Sequence, residues 1–303
     1  MFIEPMSLSR ILARASLPLL WVLLQLTSCP SSPGQTAVAP PRVLRFLAVT
    51  ADGSPVADLK PEDLELRVGK QPRKIVNLVS SAAEHRNIGF LFDISGSRRS
   101  DMLIPDETQA ALQFLRSIWR ADDSALVLAF GEITVNLAPP TSDLTQIEAA
   151  LAKIPAAQYR GSTALYDALC SIHTSATESS EGETLLIVFG DFEDNTSRIS
   201  KDAAIDKLRK NNIRVFPLLR PTQERFPRVG KLAEDAAKKF ARSTGGDMFK
   251  VENERDLAGA FHRLDAELKG AYRLTYDFSP GDSQHTKVEL RTSRPNISVL
   301  FAR

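Results

Sequence analysis

Five oxygen-bearing residues stand where apolar segments break off. Asp93, Ser95 and Ser97 follow the run Ile88-Gly89-Phe90-Leu91-Phe92. Thr163 lies in "YRGSTALYDAL", and Asp191 closes the run "TLLIVFG" ahead of "FEDN". Each has a plain structural explanation when taken alone, because Asp and Ser serve turns and Ser or Thr caps helices. Together they place two carboxylates and three hydroxyls at the ends of strands, with no His or Cys among them. Hard oxygen donors of this kind suit Mg²⁺ or Mn²⁺ and not zinc.

Covalent chemistry fits these residues less well. A serine-hydrolase elbow reads Gly-x-Ser-x-Gly, and "FDISG" has Asp93 at the first glycine position. A dehalogenase-like phosphatase would carry a second Asp two residues on, where this chain has Ser95. No Walker phosphate loop is present, and the four histidines lack a zinc spacing.

The elements that would position these residues alternate. "NIGFLF", "SALVLAF", "TLLIVF" and "IRVFPLL" are continuous apolar strands, the pattern of a sheet covered on both faces, with "DMFKV" as a weaker last strand. Helical stretches at about 105–120, 143–154, 163–176, 199–211, 230–243 and 255–268 separate them. The fold class expected is α/β, a doubly wound and mostly parallel sheet over residues 84–267. In such a sheet ligands sit beyond the C-terminal ends of the strands, where all five residues fall. On either side, residues 42–82 and 269–303 read as short strands: "VLRFLAV", "LELRV" and "RKIVNLV" before, "AYRLTYDF", "TKVELRT" and "NISVLFA" after. Neither set can bury a sheet face alone, so the two are expected to pair into one small β-sandwich-like module carrying the α/β domain as an insertion.

Residues around the site have bland readings. Arg98 and Arg99 read as solvated, Glu193, Asp194 and Asn195 as a solvated rim, and Asp167 as a structural hydrogen-bonder near the helix start. Cys170, inside the helical "ALYDALCSIH", reads as a small buried hydrophobe.

The N-terminus is an export signal. Arg10 and Arg14 precede an apolar run from Ala15 to Leu26, too short to span a membrane. The run ends in Leu26-Thr27-Ser28-Cys29, which resembles a bacterial lipobox. The resemblance implies removal of residues 1–28 and lipidation of Cys29, and Pro30 in place of Asp resembles the pattern sent to an outer membrane where a cell has two. Residues 29–41 then form a lipidated tether rich in Pro, Ser and Ala. The chain of 303 residues is 43% hydrophobic and 25% charged, a globular composition. Removing Arg10, Arg14 and Glu4 leaves 36 basic and 36 acidic side chains. A neutral chain without a basic stripe is a poor nucleic-acid binder.

The order Asp-x-Ser-x-Ser, then a distant Thr, then a distant Asp on an α/β sheet resembles the von Willebrand factor type A domain with its metal-ion-dependent adhesion site. The flanking β segments, with "LKPEDLEL" ahead of the domain, resemble the exported von Willebrand-A-related proteins of acidobacteria. The resemblance implies that Ser95, Ser97 and Thr163 supply hydroxyl ligands, and that Asp93 and Asp191 act directly or through water. It implies one divalent cation, Mg²⁺ or Mn²⁺, and a protein partner that contributes an Asp or Glu carboxylate. It implies a binding device, not an enzyme, held in the cell envelope by its lipid. Two rivals stay open: a metal-dependent phosphohydrolase using Asp93 as nucleophile, and a structural envelope module whose site is vestigial. The chain departs from the family at Asp191-Phe192, where Asp-Gly is frequent.

Overall fold

The uninterrupted apolar runs become the middle of a six-stranded sheet. In the computed structural model, which describes residues 42–80, 86–157, 159–176, 183–221, 227–277 and 287–301, its strands are β5 (Arg86–Asp93), β6 (Ser124–Phe130), β7 (Thr134–Thr141), β8 (Glu183–Gly190), β9 (Ile213–Leu219) and β10 (Phe249–Lys250). Their order is β10-β9-β8-β5-β6-β7, parallel throughout except for β7. The leader, Cys29 and the tether lie outside the described residues, as does the "SPGDSQ" connection.

The side-chain alternation of a strand decides which helix meets which face. Ile88, Phe90 and Phe92 of β5 point to a layer formed by α1 (Ile104–Ile118), α2 (Leu144–Leu151) and α6 (Glu254–Gly270), where Leu115, Ile147 and Leu264 are buried. Leu91 points to the opposite layer of α3 (Leu165–Ala176), α4 (Lys201–Lys210) and α5 (Pro227–Thr244), where Leu169, Leu208 and Phe240 are buried. The observed helices sit within a few residues of those expected. At the far end of β5, the guanidinium of Arg86 donates to both oxygens of Asp123, which is fully buried just ahead of β6.

The chain winds from β5 to β6 on one side, then returns to β8, β9 and β10 on the other. The reversal lies between the adjacent strands β5 and β8, paired in register as Phe92 with Phe189. A crevice opens at such a point because the connections on its two sides leave in opposite directions.

The flanking segments form two further sheets. One has the order β13-β1-β11-β4, from β1 (Arg42–Thr50), β4 (Ile75–Ser80), β11 (Ala271–Tyr276) and β13 (Ile297–Phe301). The other has β12 (Val288–Thr292), β2 (Leu64–Val68) and β3 (Gln71–Arg73), in the order β12-β2-β3. Both thus mix N- and C-terminal strands, and they bury one shared core containing Phe46, Leu66, Tyr272, Leu274 and Leu290. Phe46 and Tyr272 pair across β1 and β11 with stacked rings 5.2 Å apart.

Two strand expectations are corrected. "RKIVNLV" is not one strand: the chain passes from β3 in the smaller sheet to β4 in the larger one around Lys74. Alternation along a strand cannot reveal that its two halves have different neighbours. Strand β7 was not expected, since "TVNLAPPT" carries Pro139 and Pro140. Proline removes a ladder donor and is tolerated on an edge, which is where β7 lies.

Candidate metal centre

Asp93 ends β5 and Asp191 follows the end of β8, so the two carboxylates flank the crevice at the sheet's reversal. Asp93 Oδ1 accepts the amide of Ser95 at 2.8 Å. Ser97 Oγ donates to Asp191 Oδ2 at 2.6 Å. Ser95 Oγ lies 3.0 Å from Ser97 Oγ, and because Ser97 spends its one proton on Asp191, Ser95 is the donor between them. Asp191 Oδ1 accepts the amide of Glu193 at 3.0 Å. The hydroxyls of Ser95 and Ser97 and the carboxylate of Asp191 are thus drawn together by direct contacts, with Asp93 tied to the same loop.

Thr163 reaches the same surface through backbone contacts. Its carbonyl accepts the amides of Asn195 and Thr196 at 3.0 and 3.2 Å, and its amide donates to Asn195 Oδ1 at 2.9 Å. One turn earlier, Gly161 O accepts the amide of Gly96 at 3.2 Å, and Arg160 N donates to Ile94 O at 3.2 Å. The three loops that follow β5, precede α3 and follow β8 are therefore stitched to one another, and Asp93, Ser95, Thr163 and Asp191 are all buried within them while Ser97 is exposed.

Asp93 Oδ2 is buried and has no hydrogen-bond partner. An ionised oxygen in that position is costly without a compensating charge. Burial pushes the Asp93 carboxyl up to about 7, and the charge of Asp191 adds to it, while the Ser95 contacts and Arg98 pull the other way. A cation would supply what this oxygen lacks. Among the described residues no three His, Cys, Asp or Glu come together as an ion site, so hydroxyls would have to complete the donor set. The hydroxyls of Ser95 and Ser97 stand in place for that, and the residues fit a hard divalent ion.

Several neighbours differ from their sequence reading. Arg98 is not solvated but 2% exposed, paired with Glu107 at 2.6 Å and Asp101 at 2.9 Å. Arg220 also binds Asp101, at 3.1 Å, so the first loop is braced against the loop after β9. Arg99 is exposed as expected and donates to Tyr159 O at 3.0 Å. Asp194 and Asn195 are not merely rim: Asp194 Oδ1 accepts the Tyr166 amide in the first turn of α3 at 3.3 Å, and Asn195 holds Thr163. Asp167 does hydrogen-bond structurally, accepting the amides of Arg198 and Ile199. Cys170 is buried.

Phe192 stands in the left-handed region at φ 62°, where a bulky side chain costs on the order of 1 kcal/mol or more. This is the position at which the resembled family often has glycine. Here the ring is buried and packs edge-on against Phe240, 6.0 Å between centroids, which offsets the backbone cost. The turn that presents Asp191 is thus kept without glycine.

A family model described as VWA domain containing CoxE-like protein matches residues 64–241. Among solved structures, von Willebrand factor type A from Catenulispora acidiphila is similar, with 13% identity, a TM-score of 0.50 and coverage of 88% of this chain and 73% of that one. The conserved hypothetical protein BatB from Bacteroides thetaiotaomicron aligns with 18% identity, a TM-score of 0.47 and coverage of 59% of this chain and 98% of its own. For the vWF domain of the type V pili tip protein Mfa5 from Porphyromonas gingivalis the values are 10% identity, a TM-score of 0.47, and 60% and 94% coverage. No curated protein matches the chain.

Proposed function

The chain belongs to the VWA domain family, in its CoxE-like group, and from that premise we propose that it is a cell-envelope protein that captures another protein through one divalent cation, Mg²⁺ or Mn²⁺. The observation that carries this reading is the buried, unpartnered Asp93 Oδ2 beside a hydrogen-bonded chain of Ser95, Ser97 and Asp191. Ser95, Ser97 and Thr163 would hold the ion through hydroxyls, and Asp93 and Asp191 directly or through water. A bound ion supplies an electrophilic position that a partner's Asp or Glu carboxylate can occupy. The chain's own residues do the remaining work. The Ser95 amide orients Asp93, the Glu193 amide orients Asp191, and Asn195 holds the Thr163 segment against both. This is binding chemistry, with no bond broken in the partner.

The test is capture of the partner from envelope extract by the full mature chain. Recovery is expected in Mg²⁺ and its loss in chelator, and alanine at the partner's contributing Asp or Glu should abolish recovery as chelation does. Equal recovery with and without chelator would reject the mechanism and favour the structural module.

The envelope location rests on the leader and on Cys29. No helix of the described residues is long and apolar enough to cross a membrane, so in this reading a lipid on Cys29 supplies the attachment. Cys29→Ser is expected to leave the precursor unlipidated and to move the protein out of the membrane fraction. Unchanged processing and retention in that variant would dismiss the anchor.

A further inference from the structure

The two loops that carry Ser97 and Thr163 continue away from the metal centre as the walls of one cleft of about 450 Å³. Met102, Ile104 and Pro105 line it from the β5–α1 loop and the start of α1, and Pro155, Ala157 and Tyr159 from the segment between α2 and α3. That volume and that apolar lining lie in the range of pockets that hold a ligand group. The walls are preformed. The two prolines fix their own backbone angles. The Tyr159 hydroxyl donates to Ile154 O at 3.1 Å, and Arg99 Nε ties one wall to the other by donating to Tyr159 O at 3.0 Å. Met102 is nevertheless 87% exposed, and Ile133, which follows β6 at the same end of the sheet, is 72% exposed. No large apolar side chain among the described residues is more exposed than these two. Apolar surface left in water beside a polar centre is surface that a partner can cover.

The cleft also carries a sign. Its one carboxylate, Asp101, is taken up by Arg98 at 2.9 Å and by Arg220 at 3.1 Å. Arg99 is exposed, and its Nε bond goes to a neutral carbonyl, so the charge presented to solvent at the rim is positive. A positive rim draws in an acidic segment. Arg99 stands two residues from Ser97, which puts their Cα atoms at most about 7.6 Å apart. Two residues of an extended chain span about 7 Å, so one short segment can reach both the ion and the cleft. Resting on capture of a carboxylate by the ion, we propose that this cleft is the partner's second point of attachment. It takes a large apolar side chain, aliphatic or aromatic, within a few residues of the partner's metal-binding Asp or Glu. The partner is thus a protein segment that sets an acidic residue beside a bulky apolar one.

The probe is an array of short immobilised peptides, each with one central Asp or Glu and with Leu, Phe, Trp, Ser or Gln at each nearby position in turn. The full chain carrying Cys29→Ser is applied in Mg²⁺ and in chelator. Binding in Mg²⁺ is expected to be strongest where the acid has a large apolar neighbour. Exchanging that neighbour for Ser should weaken binding by about tenfold or more, the loss that goes with exposing one buried apolar side chain. Met102→Ser should remove most of the apolar preference. It should keep the Mg²⁺-dependent rise in melting temperature of its parent, since Met102 is exposed and gives no oxygen to the ion. Chelator-sensitive binding without an apolar preference, or with the same preference in Met102→Ser, would overturn this role for the cleft and leave the metal centre standing. Absence of peptide binding by a chain that still melts higher in Mg²⁺ would do the same. Binding that ignores chelator, by a chain that Mg²⁺ does not stabilise, would reject the metal centre and the second attachment with it.

Discussion

Mg²⁺ or Mn²⁺ at a hundredfold excess over its dissociation constant is expected to stabilise the fold by about 2.7 kcal/mol. For a domain of this size that is a rise of roughly 5–10 °C in melting temperature. Asp93→Asn should abolish the rise, because it removes the charge of a buried carboxylate at the crevice whose second oxygen lacks a partner. The same substitution should act in the opposite direction when the ion is absent. Asp93 holds its proton up to about pH 7 in the folded chain, against 3.8 as its ordinary value. The folded state therefore binds the proton more tightly than the unfolded one. Stability in chelator should fall as pH rises across that interval, then level off above it. At pH 8 in chelator, Asp93→Asn should melt above wild type, since it keeps the shape of the side chain without the charge. Melting curves at pH 5 and pH 8, with and without Mg²⁺, test both signs. An Asp93→Asn variant that still gains stability from Mg²⁺ as wild type does would remove Asp93 from the site.

Gly190→Ala is expected to damage the same centre without replacing a single oxygen donor. Gly190 is the last residue of β8, and a Cβ built there would lie 2.7 Å from Asp93 Cβ and 2.9 Å from Asp93 Oδ2. The clash is with the root of the Asp93 side chain, which has no torsion by which to swing aside. The carboxylate is also tied to the Ser95 amide. Relief of the Cβ contact requires β5 and β8 to separate there, and the shift pulls Asp93 off that bond. Overpacking of this kind costs about 1–3 kcal/mol, and the response to Mg²⁺ should shrink with it. A Gly190→Ala protein that matches wild type both in melting temperature and in cation response would show that the close approach is not needed.

The residues of the candidate centre were legible because their chemistry is abrupt. An apolar strand that stops at Asp93, or a run that closes on Asp191, is visible in one dimension, and the covered parallel sheet follows from strands without polar alternation. Arg98 was read wrongly for a reason that is equally physical. A charged residue beside a loop is solvated unless partners meet it from elsewhere, and Glu107, nine residues on, and Asp101 do so only after α1 folds back over the loop. Asn195 and Gly190 carried no signal, because their value lies in neighbours that are distant in sequence, Thr163 and Asp93.

The sequence by itself determined the periodicities, and with them the strands, the helices and the order in which five oxygen donors arrive along the chain. It also determined that the flanking segments need each other, since too few strands were present on either side to cover an apolar face. Tertiary structure alone decided which strands are neighbours. It set Asp93 and Asp191 across one crevice, divided residues 71–80 between two sheets, placed a proline-bearing strand on the open edge, and gathered Arg99, Met102 and Tyr159 into one cleft. The physical reason is that side-chain alternation is a local property of a strand or helix, whereas proximity between distant residues is created by the winding of the chain, and the charge and steric fit of a site exist only once that winding is complete.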